Sequence, residues 1–354
     1  MTTMTSRDES ERDQGPAPVA HESTQPNAVD PAAIGAHDRA EGKPVHPLGT
    51  LAVVVNPSKF TDLGAVRSQI TRGCTALGAT DVRWYETSKD DPGAGQAQQA
   101  LGDGASIVCS LGGDGTVRSV ASALVGTGVP LGLLPGGTGN LLARNLHLPV
   151  DDLDAALDIV LTGTNRCIDV GAVSWDGGPE EVFVVMAGMG MDATMIGDAD
   201  ERIKDAVGWP AYLLSGTKAL FNPGFAVTAS TPQERAHSRR ARMVVVGNCG
   251  GLTGGVELLP EARLDDGELD MVVVAPRGLF GWLDVVKEIL TSRGSRRRAV
   301  RHLTAPAFEL GTSRPVGAEL DGDAAGERRH MKARALPDAL LVRVPLPGTG
   351  HPAP

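Results

Sequence analysis

Short apolar runs recur along the first half of the chain, and each is followed by residues at the spacing of a helix. The runs at 51–55, 82–86, 106–111 and 130–134 are typical of buried strands. Residues 63–77, 96–101 and 141–146 have apolar positions on one helical face, and a helical pattern also follows residue 116. This alternation predicts an α/β domain over residues 49–165 with a parallel sheet, whose post-strand loops lie at one edge.

The pattern changes after about residue 166. Strand-like runs follow at 168–173, 182–186, 225–229, 243–246 and 269–274, interrupted by helical stretches at 192–220 and 279–290. They predict a β-rich second domain over residues 166–334. The last run lies within a terminal strand, 335–346, that returns to one of the two domains. Residues 1–48 lack periodicity and are rich in Pro, Ser, Thr and acidic residues, so we expect a disordered tail.

Composition narrows the class of protein. A net charge of −10 argues against a nucleic-acid partner. The four cysteines, Cys74, Cys109, Cys167 and Cys249, are too widely spaced for a metal cluster and are typical of buried thiols. No apolar leader and no apolar run of about 18 residues occurs, so we expect a cytoplasmic protein.

Two glycine-rich turns each follow a predicted strand and precede a predicted helix. The first is Gly112-Gly113-Asp114-Gly115-Thr116, and the second is Pro135-Gly136-Gly137-Thr138-Gly139-Asn140. Glycine lets the backbone approach a bound group closely, and the amides at a helix start favour an anion. Because both turns end parallel strands, they predict a polyphosphate site at one sheet edge.

Asp114 makes this prediction more specific. A carboxylate beside phosphate is repulsive unless a cation lies between them, and Mg²⁺ bound to nucleotide phosphates is the usual cation. Asp114 therefore predicts a metal-bound polyphosphate.

The ordered motifs resemble those of the diacylglycerol kinase catalytic domain family, which includes soluble bacterial diacylglycerol kinases, sphingosine kinases and ceramide kinases. The resemblance rests on Asn56-Pro57, on the two glycine turns, and on residues 264–270 and 320–323. It implies an α/β nucleotide-binding domain followed by a β-sandwich domain, with ATP in the cleft between them.

The family's nucleotide site maps onto positions in the first domain. The residues that the resemblance places around ATP are Asn56, Pro57, Ser58, Lys59, Phe60, Thr87, Gly112, Gly113, Asp114, Gly115, Thr116, Val117, Arg118, Ser119, Gly137, Thr138 and Asn140. Lys59 and Phe60 replace the family's usual glycine, and we expect Lys59 to donate charge to a phosphate in its place. Leu141 replaces an acidic residue.

The catalytic residues implied are Asp114, Asp321 and Asp323. Asp321-Gly322-Asp323 matches the family's Asp-Gly-Glu, whose acids are placed to deprotonate the lipid hydroxyl. Asp323 is one methylene shorter than that glutamate. We expect Asp321 to be the base or to organise the metal, with Asp323 as its close rival.

A structural Mg²⁺ site is also implied by the resemblance. Its ligands would be the Asp266 carboxylate and the backbone oxygens of Arg263 and Glu268. An ordinary acidic β-turn at Asp265-Asp266-Gly267 explains the same residues.

A lipid substrate requires contact with a membrane surface. Leu279, Trp282, Leu283, Val286 and Leu290 share one helical face, and an arginine cluster follows at 293–301. This pattern is found in proteins that dock transiently and peripherally at a membrane surface, here the inner one. A core helix with a solvated basic loop is the alternative, and pairing into a homodimer is left open.

The sequence and this resemblance therefore predict an ATP- and Mg²⁺-dependent lipid kinase. Diacylglycerol is the substrate that we expect, and sphingoid bases or phosphatidylglycerol are the alternatives. An NAD kinase-like metabolite kinase and a non-catalytic binding module remain alternatives. A further stretch, Gly188-Met189-Gly190-Met191-Asp192-Ala193, fits a dinucleotide fingerprint but lacks the βαβ context that this fingerprint needs.

Overall fold

The computed structural model describes residues 49–190, 224–234, 236–255, 257–276 and 300–348. The predicted tail and the helical stretches at 192–220 and 279–290 lie outside the described residues. Within the described ranges, no helix combines the length and apolar character needed to cross a membrane.

The first half is an α/β domain built on a parallel sheet. Its elements are β1 (Leu51–Val55), α1 (Leu63–Ala76), β2 (Val82–Glu86), α2 (Ala94–Gly102), β3 (Ile107–Gly112), α3 (Asp114–Leu124), β4 (Leu131–Pro135), α4 (Leu141–Asn145) and α5 (Leu153–Thr162). The strand order is β4-β3-β1-β2, and every neighbouring pair is parallel. The carboxyl ends of β1, β3 and β4 therefore meet at one edge, as the alternation predicted.

Helix α5 was missed by the sequence patterns, which ended the helices of this domain at residue 146. The Asp152 side chain caps α5 by accepting a hydrogen bond from the Ala155 amide at 3.0 Å.

The four cysteines are free thiols. Cys74 and Cys109 lie in the core beside α5, Cys249 is buried elsewhere, and Cys167 is half-buried.

The second half consists of mainly antiparallel strands. They are β5 (Thr164–Trp175), β6 (Glu180–Phe183), β7 (Met186–Met189), β8 (Phe225–Ser230), β9 (His237–Ala241), β10 (Met243–Gly247), β11 (Leu269–Val274), β12 (Val300–Ala305), β13 (Ala307–Leu320) and β14 (Asp323–Val344). Strands β12-β11-β10-β7-β13-β14 are neighbours in that order; β8 and β9 extend from β13, and β5 and β6 from β14. The α/β domain followed by a β-sandwich is the fold class expected from the resemblance.

The chain between β6 and β7 differs from its prediction. Residues 182–186 were expected to form one strand, but β6 ends at Phe183 and β7 begins at Met186. Val184 and Val185 bend out of the ladder because their amides bind a carboxylate from another part of the chain.

Strand β14 links the two halves. It pairs with β13 and β5, and near its end Val342 pairs in parallel with Leu131 of β4. The next residue, Arg343, is only 1% exposed. Its guanidinium donates to the Val160 carbonyl at 2.8 Å, the Gly163 carbonyl at 2.6 Å and Asn165 Oδ1 at 2.9 Å, around the end of α5. These bonds fasten the last strand to the first domain.

We expect Arg343→Met to lower the free energy of unfolding by about 2–4 kcal/mol, because it leaves buried carbonyl groups without donors. Urea denaturation measures this loss. Lys332→Met is the matched control, since Lys332 lies on the same strand in an exposed ion pair with Glu309 and should change stability by less than about 0.5 kcal/mol. Equal effects of the two substitutions would contradict the anchoring role of Arg343.

Candidate active site

The two glycine turns lie in direct backbone contact with each other. A Cβ atom on Gly137 would lie 2.6 Å from Gly113 Cα, and one on Gly136 would lie 2.8 Å from the Gly112 nitrogen. No side chain fits at these positions without displacing backbone. The glycines of the second turn are therefore required by packing, and both turns present their backbone at the same sheet edge.

The Asn56 loop closes one side of these turns. Asn56 Oδ1 accepts from the Ser58 amide at 3.1 Å and from its hydroxyl at 2.7 Å, at the start of a single 3-10 turn, Pro57–Lys59. The loop forms without positive φ at Lys59 or Phe60, as the missing glycine requires. Lys59 Cε would lie 3.8 Å from a Cβ on Gly113, so its side chain borders the first turn.

The second turn is braced by its own asparagine. Asn140, with φ of 46°, donates through Nδ2 to the Gly137 carbonyl at 2.7 Å and accepts from the Gly137 amide at 3.3 Å. Thr138 stays exposed above this brace, at a position where its hydroxyl could contact a ligand.

Asp114 connects the two turns. Its Oδ1 accepts from the Leu141 amide at 2.7 Å, at the start of α4, and its Oδ2 faces Gly139, where a Cβ would lie 2.2 Å away. Burial raises the pKa of Asp114, with the Leu141 amide opposing the shift. The carboxylate thus has a protein partner of its own, so a cation is not needed to explain its presence.

Several residues expected around ATP have buried side chains. Thr87, Thr116 and Ser119 are at most 9% exposed. The Ser119 hydroxyl donates to the Gly115 carbonyl at 2.8 Å, and Val117 packs in the hydrophobic core. At Val117 and Ser119, side-chain contact with a nucleotide is therefore not supported.

The acidic motif forms the hairpin turn between β13 and β14. Leu320 pairs with Asp323, and the two central residues, Asp321 and Gly322, have φ of 48° and 88°. A two-residue hairpin of type I′ requires positive φ at both positions, and Asp-Gly is a preferred sequence for it. The motif is therefore a turn whose shape is encoded locally.

Asp321 is held by the bend between β6 and β7. Its carboxylate accepts from three consecutive backbone amides, those of Val184 at 2.9 Å, Val185 at 2.8 Å and Met186 at 2.9 Å. Asp321 is 2% exposed. Burial raises its pKa to about 6, although the three amides and Arg118 favour the charged form. The expected assignment of Asp321 as base is therefore not supported, because both oxygens are engaged and shielded.

Asp323 has the opposite environment. Its side chain is 58% exposed, and its Oδ2 accepts from Arg118 Nη2 at 2.8 Å. A Cβ on Gly115 would lie only 2.9 Å from the same oxygen. Arg118 also donates to the Leu320 carbonyl. The β-sandwich hairpin thus delivers Asp323 to the start of α3, beside the glycine turns.

The predicted metal residues lie on a separate, exposed turn. Asp266 Oδ1 accepts from the Glu268 amide at 3.1 Å, as in an acidic β-turn. The buried Asp169 carboxylate supports the turn by accepting a hydrogen bond from the Gly267 amide at 2.6 Å. It also accepts one from the Asp338 amide at 2.7 Å. Among the described residues, no three His, Cys, Asp or Glu side chains are grouped to hold a metal. A site that uses the backbone oxygens of Arg263 and Glu268 stays a prediction.

The sequence patterns missed Glu319, which lies beneath the acidic turn and is 1% exposed. Its position in an otherwise apolar strand end, just ahead of Leu320, is a signal that could have been noticed. The patterns also missed that Arg118 is the partner of Asp323, because this hydrogen bond joins residues 205 positions apart.

A parallel-sheet domain with paired glycine turns, completed by an acidic turn from a β-sandwich, is the architecture of a two-domain phosphotransferase. Comparisons agree with it. Residues 50–173 match the Diacylglycerol kinase catalytic domain family, and residues 184–344 match the YegS C-terminal NAD kinase beta sandwich-like domain.

Individual proteins and a solved structure are similar to this chain over most of its length. A protein of Pseudomonas aeruginosa (strain UCBPP-PA14) named "Probable lipid kinase YegS-like" is 31% identical over 251 residues, which cover 70% of this chain and 80% of that protein. The uncharacterised Synechocystis protein sll0036 is 27% identical over 259 residues, covering 70% of this chain and 57% of that protein. A crystal structure of a diacylglycerol kinase from Bacillus anthracis str. Sterne shares the fold, with a TM-score of 0.64 at 21% identity over 83% of this chain and 96% of that one. The chain belongs to the YegS-like lipid kinase family.

The two acids of the hairpin turn should respond differently to amide substitution. In Asp321→Asn the side-chain NH₂ group faces backbone N–H donors, so we expect a loss of about 2–4 kcal/mol in unfolding free energy. Asp323→Asn removes only an exposed ion pair and should cost less than about 0.5 kcal/mol. Urea denaturation at pH 7 compares them. A stable Asp321→Asn protein would show that the three amide bonds do not hold the turn.

Proposed function

We propose that this lipid kinase is ATP-dependent, that it transfers the γ-phosphoryl group to a lipid hydroxyl, and that diacylglycerol is its first substrate. The observation that supports this most is the position of Asp323, whose carboxylate packs against Gly115 at the start of α3. There, an exposed acid from one domain meets the phosphate-binding edge of the other.

The nucleotide side of this proposal rests on the sheet edge. The 11-residue helix α3 begins directly after Gly112 and Gly113, and the first amides of a helix favour phosphate. The Lys59 side chain borders the same turn and is suited to a phosphate as a point charge. Thr138 offers an exposed hydroxyl on the second turn. These groups border the two glycine turns.

In the proposed reaction, the Asp323 carboxylate accepts the proton of the lipid hydroxyl. The hydroxyl oxygen forms a bond to the γ-phosphorus, the bond from that phosphorus to the β–γ bridging oxygen breaks, and ADP leaves. The proton then passes from exposed Asp323 to solvent. Arg118 holds the carboxylate in place through its bond at 2.8 Å. Positioning and charge neutralisation supply most of the acceleration in such transfers, and a positioned base adds about 10²–10⁴ in rate.

Mg²⁺ fits this edge as a nucleotide-borne ion. Such an ion is usually held by one or two carboxylates together with substrate phosphates, and Asp114 lies beside the two glycine turns. When bound, Mg²⁺ would neutralise charge on the transferring phosphoryl group. The turn at Asp266 would hold a second, structural ion, away from the chemistry.

The choice of a lipid acceptor follows from the family, and the choice of diacylglycerol follows from the related catalytic domain. We propose that the substrate is met at the inner membrane surface by a cytoplasmic protein. Of the predicted docking segment, only the end at residues 300–301 is described by the structure.

Transfer of label from γ-³²P-ATP to diacylglycerol in mixed micelles tests the proposal. We expect phosphatidic acid from the parent chain, and a fall in kcat of about 10²-fold or more for Asp323→Asn, because the base is lost. Gly115→Ala should also lower kcat, since its methyl group would lie 2.9 Å from Asp323 Oδ2, while alanine preserves the helix.

Two outcomes would overturn the proposal. Phosphorylation of NAD and of no lipid would assign the chain to metabolite kinases. Full activity of Asp323→Asn, in a variant whose unfolding is unchanged, would remove Asp323 from the chemistry. Labelling of a sphingoid base or phosphatidylglycerol in place of diacylglycerol would keep the kinase and correct its substrate.

A further inference from the structure

Glu319 is a buried acid that the proposed reaction does not use. Its Oε2 accepts from the Gly322 amide at 2.9 Å, so it supports the centre of the turn that ends at Asp323. Its Oε1 is buried without a hydrogen-bond partner among the described residues. A buried unpaired oxygen is costly, and much more so when it carries charge. We therefore ask what a buried, half-paired carboxyl group contributes to the turn above it.

The pocket around Glu319 is provided by a glycine on the neighbouring strand. Glu319 pairs with Gly188 of β7, and a Cβ atom there would lie 2.8 Å from Glu319 Oε1. This accounts for one glycine of the fingerprint-like stretch without any nucleotide. The second glycine of that stretch, Gly190, is required by its backbone: its φ is 94°, and a Cβ there would lie 2.5 Å from the Arg242 carbonyl oxygen. Gly188 lets the carboxyl group lie flat against the backbone beneath the turn.

The charges facing Glu319 come from its own hairpin and from α3. Asp321 and Asp323 flank it on the hairpin, and Arg118 approaches from α3; the facing strand β7 contributes no charged side chain. Burial raises the pKa of Glu319 to about 8, and the two aspartates act in the same direction against the Gly322 amide and Arg118. The surroundings of Glu319 therefore favour its neutral, protonated form.

We propose that Glu319 is a positioning residue for Asp323, a support beneath the Asp321-Gly322 turn that works only while its carboxyl group is uncharged. The inference rests on the proposed function, because it assigns the reacting proton to Asp323. Once ionised, Glu319 would carry an unpaired charge against Gly188. The side chain must then leave the pocket for water, which removes the bond to the Gly322 amide and loosens the turn.

The test follows kcat and the KM for ATP from pH 6 to 9.5 in the full chain, with diacylglycerol micelles as acceptor. We expect kcat of the parent to decline above about pH 8. Glu319→Gln keeps an oxygen for the Gly322 amide and cannot ionise, so kcat at pH 7 should stay within about threefold and the alkaline decline should disappear. Glu319→Ala removes the support and should lower kcat about 10- to 100-fold with little change in KM.

Glu309→Gln is the matched control, because Glu309 lies on the same strand in an exposed ion pair. It should keep the parental kcat and the parental pH profile. Parental kcat in Glu319→Ala would overturn the inference. So would an unchanged alkaline decline in Glu319→Gln, and this second variant decides the matter if Glu319→Ala does not fold.

A second measurement separates this inference from the proposed function. Between pH 4.5, the ordinary pKa of a glutamate, and about 8, the folded state binds more protons at Glu319 than the unfolded state. Stability should therefore fall as pH rises through that window. In Glu319→Gln this part of the fall should vanish, even if the parent phosphorylates no lipid at all. Identical pH dependence of unfolding in parent and variant would contradict a neutral Glu319.

Discussion

The structure of the site depends on one carboxylate and three amides. Asp321, at the tip of the β13–β14 hairpin, accepts from the amides of residues 184–186. Those amides would otherwise need partners in a strand ladder, and an unpaired buried N–H is costly. The bond set therefore fixes two features together: the bend between β6 and β7, and the orientation of the hairpin tip.

From this constraint the rest of the site follows. A fixed tip places Asp323 two residues on, where its carboxylate meets Gly115 and Arg118 of α3. The two glycine turns form the other half of the site. Their backbones lie in contact with each other, which leaves no room for side chains. Each of the three acids near the tip has a different environment: Asp321 is buried and paired, Glu319 is buried and half-paired, and Asp323 is exposed. These environments, more than residue type, are the basis of the separate roles that we propose for the three acids.

Local patterns predicted much of this and failed where contacts are remote. The predicted strands at 51–55 and 82–86 agree with the structure residue by residue, because they are short, apolar and bounded by turns. The two glycine turns and the acidic turn were also located. Local patterns could not choose between Asp321 and Asp323, because both are aspartates of one turn and remote contacts distinguish them: the amides of residues 184–186 for Asp321 and Arg118 for Asp323. The sequence patterns missed Glu319 for the same reason, since the space for its carboxyl group is provided by Gly188 on another strand.

The most direct test is a crystal structure of the chain with Mg²⁺ and a non-hydrolysable ATP analogue. We expect the Asp323 carboxylate to face the γ-phosphoryl group at the start of α3, while Asp321 remains bonded to the amides of residues 184–186. A structure in which Asp321 leaves those amides to contact the metal or the phosphate, with Asp323 turned to solvent, would contradict it.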